Sequence, residues 1–463
     1  MMDIMHTITS LKELQKLHFI GVAGTGMSAI AQYLAAEGKN ITGSDRYFFP
    51  NQTNETKNKL ETEGIACFLQ DGSGIDNMTQ LIVISTAIED SNVEIQKAKS
   101  LNIPIIKRAE LLSLILKDKK GIAIGGTSGK STTSAMLFDI LDYAGLQPGI
   151  ISGAGLVRLQ EQGKIGNAQL GKGDWLVIEA DESDGSIVNY HPEIGVLLNI
   201  DKDHKEISEL ETIFETFKRH SKYFIVNASH ELTAPFTQEN RQNFSSSNAK
   251  AGYYATDFKQ VGLEISFKIN SIPFALHAIG KHNMENALAA VTVACQLGVS
   301  LNVCSKAIAN YKGIYRRNQV LGNKNGVWLI DDYAHNPAKV AAAIIGVQPL
   351  AKKVIAWFQP HGYGPTRFLR NDFVDSISQS LRPQDEIWMS EIFYAGGTAI
   401  KDISANDLIQ DIKAKGKKAF FVEDRNQLVE TLRAHLTIDT VLLLMGARDP
   451  SLDVFAKEVW NEL

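Results

Sequence analysis

The sequence predicts an α/β protein whose strands lie in parallel sheets, divided over three domains. Two stretches carry this prediction, because each runs from a short apolar segment through a glycine-rich turn into a helical pattern: residues 17–35 and 121–141. Further short apolar segments alternate with helical patterns toward the end of the chain. This alternation is typical of parallel sheets with helices on their faces. The length of 463 residues exceeds one typical hydrophobic core, so several domains are expected.

The composition is that of an ordinary globular enzyme, with 44% hydrophobic and 21% charged residues. The net charge of -5 leaves no basic footprint for nucleic acid. Cys67, Cys295 and Cys304 lie far apart without metal-ligand spacing, which favours a reducing compartment. No segment approaches about eighteen apolar residues, and the first residues lack a signal-peptide core. We therefore expect a cytoplasmic protein that binds neither nucleic acid nor a membrane.

Residues 1–112 are expected to form a Rossmann-like domain that binds a nucleotide. A strand, a glycine turn, a helix and a second strand follow one another between residues 17 and 45. The turn contains Gly24 and Gly26 and can hold a diphosphate, while Asp45 lies where an acid binds a ribose hydroxyl or a base. A UDP-sugar and a nicotinamide cofactor both fit. The run of glycines is interrupted, so this pattern alone is a weak signal.

Residues 113–312 are expected to form a central P-loop ATPase domain. A strand at 122–124 enters a turn of little side-chain bulk, and a helix follows at once. Backbone N–H groups of such a turn and the helix N-terminus can surround phosphates, with a lysine on the outer phosphates and a serine on Mg²⁺. The alternative is a plain glycine turn with a surface lysine. The predicted ATP-binding residues are Gly126, Thr127, Ser128, Gly129, Lys130, Ser131 and Thr132.

Acidic and basic side chains follow two later strands of this domain. The strand at 175–178 leads into the acidic run 179–184, in which Glu179 is placed to hold a hard cation. The strand predicted at 195–200 leads to His204, at the sheet edge where ligands bind. A solvated acidic loop and a helix-capping histidine are the alternatives. Convergence of three strand ends is the argument for a site.

Two further features complete this domain. Asn283 and Asn286 lie three residues apart at the start of a helix, so they share one face and could recognise an adenine edge. Incidental amides of a capped helix are the alternative. The serine and asparagine cluster at 243–248 predicts a surface loop.

Residues 313–463 are expected to form a second doubly wound, Rossmann-like sheet. Asp332 and His335 follow the strand at 327–330, where they could position a phosphate or an amine. The predicted strands of this domain are 327–330, 354–358, 386–389 and 441–444.

Taken together, these motifs resemble the Mur ligase family, the ATP-dependent enzymes that build the peptide of bacterial cell-wall precursors. The resemblance covers essentially the whole chain in the family's order. It rests on HFIGVAGTGMSAIA (18–31), GSD (43–45), RAELL (108–112), GGTSGKSTT (125–133), EADESD (179–184), NIDKDH (199–204), GKHNMENALAA (280–290), RR (316–317), DDYAHNP (331–337) and FQPH (358–361).

The resemblance implies an amide-forming reaction. ATP phosphorylates the carboxylate of UDP-N-acetylmuramate, an amine attacks the acyl phosphate, and phosphate leaves an amide behind. L-Alanine is the first expected amine, with a murein tripeptide or another amine as alternatives. The implied cofactors are ATP and Mg²⁺, the other partners are small molecules, and the protein is expected to be a monomer or homodimer.

The resemblance also implies roles for single residues. The implied catalytic residues are Lys130, Glu179, His204, Asp332 and His335. Metal ions would be held by Ser131, Glu179 and His204, and ATP would be contacted beyond the loop by Asn283, Asn286, Arg317 and Asp332. The substrates would be bound by Gly24, Thr25, Gly26, Met27, Ser44, Asp45, Ser85, His361 and Arg367.

The chain departs from the family pattern in the residues that are expected to bind the amine substrate. Gly362 and Pro365 stand where relatives carry arginines that bind the incoming amino acid, although Arg367 is retained. Ser128 stands where relatives usually carry a histidine in the loop. Lys218 lies near the stretch where several family members carry a carbamoylated lysine that bridges the metal ions, without an assignment to that position. The competing hypotheses are a ligase acting on another acid, such as a folate or a peptide tail, and a non-catalytic nucleotide-binding or nicotinamide-dependent protein.

Overall fold

A computed structural model of the chain describes residues 8, 10–202, 205–237, 242–394, 396 and 400–463. It confirms the α/β class. The chain divides into two compact units, of which the first comprises the described parts of Met1–Ile200, Ser208–Tyr253 and Ala287–Ala307. The second comprises those of Asp201–Ile207, Tyr254–Asn286 and Ile308–Leu463. The boundaries of the three predicted domains stay a prediction.

The described residues form strands and helices in close alternation. The strands are β1 (Lys16–Ile20), β2 (Asn40–Asp45), β3 (Ala66–Leu69), β4 (Leu81–Ile84), β5 (Ile105–Lys107), β6 (Lys120–Gly125), β7 (Gly149–Ile151), β8 (Ala168–Gln169), β9 (Trp175–Glu179), β10 (Ile194–Leu197), β11 (Tyr223–Val226), β12 (Phe244–Ser245), β13 (Tyr253–Val261), β14 (Glu264–Ile269), β15 (Ile272–Leu276), β16 (Gln319–Lys324), β17 (Val327–Asp332), β18 (Lys353–Gln359), β19 (Glu386–Met389), β20 (Lys418–Phe421) and β21 (Thr440–Gly446).

Helices connect most of these strands. They are α1 (Thr25–Ala36), α2 (Glu55–Thr62), α3 (Val93–Ser100), α4 (Arg108–Lys117), α5 (Lys130–Tyr143), α6 (Val157–Gln160), α7 (Ile207–His220), α8 (Lys281–Gln296), α9 (Leu301–Ala309), α10 (Pro337–Val347), α11 (Tyr363–Phe368), α12 (Arg370–Ser380), α13 (Ala405–Ala414), α14 (Leu428–Leu432) and α15 (Leu452–Glu462). Across the described part of the chain, none of the helices combines the length and the apolar character that a membrane crossing requires.

The first unit contains two sheets that are parallel or nearly so. The sheet order β3-β2-β1-β4-β5 is parallel throughout, and the register places Phe19 beside Gly43. The second sheet has the order β11-β10-β6-β9-β7-β8, with only β8 antiparallel to its neighbour. Because β6, β9 and β10 are parallel neighbours, their carboxyl ends lie together at one sheet edge.

The prediction of a strand over residues 195–200 is wrong at its end. Strand β10 stops at Leu197, and two residues later Asn199 O accepts from the Thr127 N–H of the loop after β6 at 3.3 Å. The predicted surface loop at 243–248 is also wrong in part. Phe244 and Ser245 form β12 and are fully buried, and Ser245 Oγ accepts from the Asn248 N–H at 2.9 Å.

The second unit contains a doubly wound sheet of order β16-β17-β21-β18-β19-β20, as predicted for the last domain. Only the edge strand β16 is antiparallel. Apolar side chains from the central strands pack on both faces, with Trp357 and Phe358 on opposite sides. Strands β13, β14 and β15 form an antiparallel meander that the sequence did not predict.

Candidate active site

The loop between β6 and α5 has the backbone of a phosphate-binding turn. Gly126 and Gly129 adopt φ angles of +134° and +84°, which disfavour any residue with a side chain. A Cβ on Gly126 would lie 3.0 Å from the Cβ of Leu198 and 3.1 Å from the backbone nitrogen of Asn199. Helix α5 begins directly after Gly129, so its first N–H groups face the loop. The predicted order of strand, glycine turn and helix is therefore present, and binding of phosphate by the turn stays a prediction.

Asn199 holds this loop from the neighbouring strand. Its Oδ1 accepts hydrogen bonds from the Ser128 N–H at 2.8 Å and from the Thr127 hydroxyl at 2.9 Å, and its Nδ2 donates to Ser128 O at 3.1 Å. Its backbone oxygen accepts from the Thr127 N–H at 3.3 Å. Sequence reasoning assigned no role to Asn199, although it opens one of the matched motifs. The hydroxyl of Ser128 is buried and has no partner among the described residues.

Lys130 lies in a charged pocket of the loop. Its Nζ donates to Gly126 O at 2.7 Å and to Glu182 Oε2 at 2.6 Å, and it lies 3.7 Å from Asp181 Oδ1. Burial by itself would lower the pKa of Lys130, but the carboxylates of Glu182 and Asp181 raise it overall. The ammonium therefore stays charged, and it is paired most closely with Glu182.

Glu179 and Ser131 meet where β9 and α5 come together. Ser131 Oγ donates to Glu179 Oε2 at 3.1 Å. The other carboxylate oxygen, Oε1, accepts from Ser152 Oγ at 2.6 Å and from the Gly153 N–H at 2.8 Å. A hydroxyl and a carboxylate are the oxygen ligands that Mg²⁺ prefers beside phosphates, so this pair fits the ion. Within the described residues there is no group of three or more His, Cys, Asp or Glu side chains suited to a metal.

These contacts do not test the prediction that His204 holds a second metal ion. His204 lies outside the described residues. Lys218 lies on α7 with its Nζ 5.9 Å from the ring centroid of Phe236. The structure thus brings together the predicted residues of β6 and β9, and Asn199 is the side chain that it adds from the end of β10.

The turn after β1 is held by the end of β2. Asp45 Oδ2 accepts from the Ala23 N–H at 3.0 Å, and its Oδ1 accepts from the Tyr47 N–H at 3.1 Å. Burial raises the pKa of Asp45, and these two backbone N–H groups oppose the rise. Gly24 and Thr25 are exposed at the start of α1. An anion could therefore reach the backbone of the turn.

Other predicted substrate residues of the first domain lie deeper. The Ser44 side chain is fully buried and donates to the carboxylate of Glu94, which is also buried. Met27 is a buried residue of α1, whereas Ser85 is half-buried directly after β4. Arg108, which sequence reasoning did not assign, lies over Gly26, where a Cβ would come 3.1 Å from its Cδ.

The two arginines before β16 have different surroundings. Arg316 is buried and forms an ion pair with Asp331 at 2.8 Å, and it also donates to Gly446 O at 3.0 Å. This arginine stabilises the unit. Both guanidinium groups lie over the ring of Tyr333, at 5.5 Å from its centroid for Arg316 and 4.8 Å for Arg317, but Arg317 remains partly accessible. The structure thus distinguishes Arg317 as the ligand candidate of the pair.

Asp332 is anchored by the chain around it. Its two oxygens accept from the Asn318 N–H at 2.6 Å and from the Ala334 N–H at 2.8 Å. Burial raises the pKa of Asp332, and Arg317 opposes the rise. The side chain of Asn318 lies 3.1 Å from His282 Nε2, which connects this strand end to the start of α8.

The predicted adenine residues lie together at the start of α8. Asn283 Nδ2 donates to Ile279 O at 2.8 Å, and Asn286 Nδ2 donates to Asn283 Oδ1 at 3.4 Å. Burial lowers the pKa of His282 to about 4, so its ring is neutral and Nε2 can accept a hydrogen bond from Asn318. Sequence reasoning missed His282 and Asn318, since their contact joins residues far apart in the chain.

His335 and His361 lie near each other at the carboxyl ends of β17 and β18, with ring centroids 5.6 Å apart. His335 Nδ1 lies 2.9 Å from Tyr333 O. Because a carbonyl oxygen can only accept a hydrogen bond, the proton is assigned to Nδ1. Burial lowers the pKa of His335 well below its usual value, and Lys339 adds to this effect. The imidazole is therefore neutral at physiological pH, with Nε2 as its acceptor.

The arginine of the predicted amine pocket is already bound to other groups of the protein. Arg367 donates to the carboxylate of Asp402 and to Ile400 O at 3.1 Å. Gly362 has a φ of +74°, which disfavours a side chain there. The Lys401 ammonium lies 5.0 Å from the ring centroid of Tyr394. The structure thus gives Arg367, the predicted amine-pocket arginine, a carboxylate partner of its own.

Comparison with known proteins covers nearly the whole chain. Residues 16–120 match the model of the Mur ligase family catalytic domain, residues 124–294 match the Mur ligase middle domain, and residues 316–448 match the Mur ligase glutamate ligase domain.

Similar proteins carry consistent names. The UDP-N-acetylmuramate--L-alanine ligase of Carboxydothermus hydrogenoformans is 33% identical over 94% of this chain and 95% of its own length. The ligase of the same name from Aquifex aeolicus is 33% identical over 97% of this chain and 98% of its own. The solved UDP-N-acetylmuramate-alanine ligase of Thermotoga maritima superposes with a TM-score of 0.78 at 25% identity, covering 96% and 98% of the two chains. On these matches and the geometry above, the chain belongs to the Mur ligase family.

Proposed function

We propose that this protein joins the carboxylate of UDP-N-acetylmuramate to L-alanine at the expense of ATP, in peptidoglycan precursor synthesis. The observation that carries the proposal is the meeting of Lys130, Ser131 and Glu179 at the ends of β6 and β9. The whole-length similarity to enzymes named for this reaction supports the choice of acid and amine.

The first half of the reaction is phosphoryl transfer. A carboxylate oxygen of the UDP-sugar attacks the γ-phosphorus of ATP, and ADP leaves with the electron pair of the broken bond. The loop N–H groups bind the phosphates. The ammonium of Lys130 moves away from Glu182 and neutralises charge on the transferring group. Asn199 keeps the loop in its binding shape while this happens.

We propose Mg²⁺ as the metal, because Ser131 and Glu179 offer it a hydroxyl and a carboxylate oxygen. His204 is proposed as a ligand of a second ion. When bound, Mg²⁺ would supply positive charge beside the β- and γ-phosphates. The bonds from Ser152 and Gly153 fix Glu179 Oε1, so that Oε2 is the oxygen presented to the ion.

The second half of the reaction is amide formation. The amine nitrogen attacks the carbonyl carbon of the acyl phosphate, loses a proton, and phosphate leaves with one former carboxylate oxygen. We propose that neutral His335 accepts a hydrogen bond from the amine through Nε2, and that Arg317 and Asp332 contact ATP. Closure of the site would exclude water from the acyl phosphate.

The UDP portion is proposed to bind at the turn that begins α1. The exposed backbone of Gly24 and Thr25 can bind the diphosphate, and Asp45 fixes the turn. ATP and a UDP-sugar are metabolites of the cytoplasm, which is the proposed compartment, and the proposed state is a monomer or homodimer.

Phosphate release from Mg·ATP tests the proposal. We expect release only when UDP-N-acetylmuramate and L-alanine are both present, and none from Lys130→Ala. The panel also contains glycine, L-serine and the murein tripeptide. Release that depends on the tripeptide and not on L-alanine would identify the tripeptide as the amine substrate. If no pair of acid and amine gives release, the ligase assignment for these substrates is refuted.

A further inference from the structure

A buried asparagine links the proposed UDP-sugar turn to the central sheet. Asn167 Nδ2 donates to Thr25 O at 2.7 Å and to Ser28 Oγ at 2.9 Å, while its Oδ1 accepts from Gln32 Nε2 at 2.8 Å. Only 1% of Asn167 is exposed. Three hydrogen bonds from one buried side chain fix the first two turns of α1 to the residue before β8.

The same residue is bound to the neighbour of the proposed metal ligand. Asn167 O accepts from the Ser152 N–H at 2.8 Å, which extends the antiparallel pairing of β7 with β8. Ser152 Oγ then donates to Glu179 Oε1 at 2.6 Å, and Ser131 Oγ donates to Glu179 Oε2 at 3.1 Å. A continuous series of hydrogen bonds thus runs from Thr25 to the P-loop helix.

We propose that Asn167 and Ser152 are positioning residues that couple binding of the UDP-sugar at the Thr25 turn to the orientation of Glu179 for Mg·ATP. This inference rests on the proposed function. It goes further because it assigns both residues a role in how one substrate prepares the site for another.

The physical reason is that both ligands need the same series of hydrogen bonds to be ordered, and the conformational entropy of this series is lost only once. Ser152 lies directly after β7, one residue beyond the last pairing of that strand with β9, and its N–H is bonded to Asn167 O. A diphosphate on the turn fixes Thr25 and therefore the Asn167–Ser152 pairing. A second ligand that needs Glu179 in the same orientation then binds with a smaller loss of conformational entropy. By linkage, each ligand raises the affinity of the other by the same factor.

Equilibrium binding measures this coupling without turnover. The affinity for UDP-N-acetylmuramate is determined by calorimetry in the absence and in the presence of saturating Mg²⁺ and a non-hydrolysable ATP analogue. We expect the analogue to tighten wild-type binding at least about fivefold. In Ser152→Ala, which removes only the hydroxyl, and in Asn167→Ala, we expect the ratio to fall toward one.

Two variants control for general effects of substitution. Ser134→Ala removes another fully buried serine hydroxyl, one that has no partner among the described residues, and should keep the wild-type ratio. Ser152→Thr keeps a hydroxyl and should retain coupling. If Asn167→Ala does not fold, Ser152→Ala decides alone.

The outcomes separate the inference from the proposed function. Wild-type protein that forms the amide but shows no coupling, or a Ser152→Ala ratio equal to wild type, overturns the inference and leaves the function intact. Equal weakening of both ligands with an unchanged ratio also overturns it, because that result indicates a purely structural role. Failure of wild-type protein to bind the UDP-sugar overturns the proposed function and the inference with it.

Discussion

The phosphoryl-transfer region and the amine region of this protein differ in how far their predicted residues are assembled. Around the P-loop, Lys130 Nζ donates to Gly126 O at 2.7 Å, and Ser131 Oγ donates to Glu179 Oε2 at 3.1 Å. In the amine region, Arg367 is engaged by Asp402, and Gly362 has no side chain to contribute.

The difference follows from how each region is encoded. The P-loop is one contiguous turn between a strand and a helix, so glycine conformations and strand order determine its geometry. The amine region is built from the ends of β17 and β18 and the loop around Asp402, where long-range packing decides which groups meet. We therefore expect substitutions around the P-loop to have large effects and those around Arg367 to have smaller ones.

Lys130→Ala should give the largest effect. Removing the ammonium leaves the charge of the transferring phosphoryl group without its partner, so kcat should fall by about 10³-fold. Steady-state phosphate release measures this. Lys120→Ala, at the opposite end of β6 where the lysine is paired with Asp174, is the matched control and should leave kcat unchanged. A kcat for Lys130→Ala within tenfold of wild type would contradict the site.

Glu179→Gln should give the next largest effect. The amide keeps the shape and the bonds from Ser152 and Gly153 but loses the negative charge, so kcat should fall by about 10²-fold. The concentration of Mg²⁺ that gives half-maximal rate should rise as well. Glu193→Gln, which alters a carboxylate paired with Lys222 before β10, should change neither value. An unchanged Mg²⁺ requirement in Glu179→Gln would exclude Glu179 as a ligand.

Arg367→Ala should affect the amine alone. Because Asp402 already neutralises part of its charge, the KM for L-alanine should rise only about tenfold, with the KM for ATP unchanged. Asp402→Asn should act in the opposite direction and lower the KM for L-alanine, since it releases the guanidinium. Initial rates over a series of alanine concentrations measure both. Equal changes in both KM values would place Arg367 outside the amine pocket.

His282→Gln should alter stability with pH rather than turnover at neutral pH. The folded pKa of about 4 lies below the usual 6.5, so between these values the unfolded chain binds a proton that the folded chain does not. Wild-type stability should therefore fall as pH decreases from 6.5 to 4, by about 1–3 kcal/mol more than that of His282→Gln. Urea unfolding at pH 7 and at pH 4.5 measures the difference, and parallel losses in both proteins would show that His282 is accessible.

Much of the fold could be predicted because its signals are local. Apolar runs bounded by glycine or polar turns located β4, β9 and β19 to within a residue, and β6 to within two. The meander of β13, β14 and β15 was missed, since its strands are polar on one face and its pairing is antiparallel. The buried strand β12 was missed because serine and asparagine are typical of loops, and only tertiary contacts bury them here.

Part of the candidate site could be predicted for the same reason. Lys130 and Ser131 belong to a contiguous motif, and Glu179 follows an apolar strand directly. Asn199 and Asn167 could not be assigned, because their roles depend on hydrogen bonds to residues 71 and 142 positions away. Ordinary asparagines give no signal of such contacts until the sheet brings the segments together.

The central claim is that ATP activates the carboxylate of the UDP-sugar as an acyl phosphate, and isotope transfer tests it most directly. UDP-N-acetylmuramate labelled with ¹⁸O in its carboxylate is turned over with ATP and L-alanine, and the phosphate is analysed by mass spectrometry. The account predicts one ¹⁸O atom in each phosphate released. Label in AMP, or phosphate free of label while the amide forms, would contradict it.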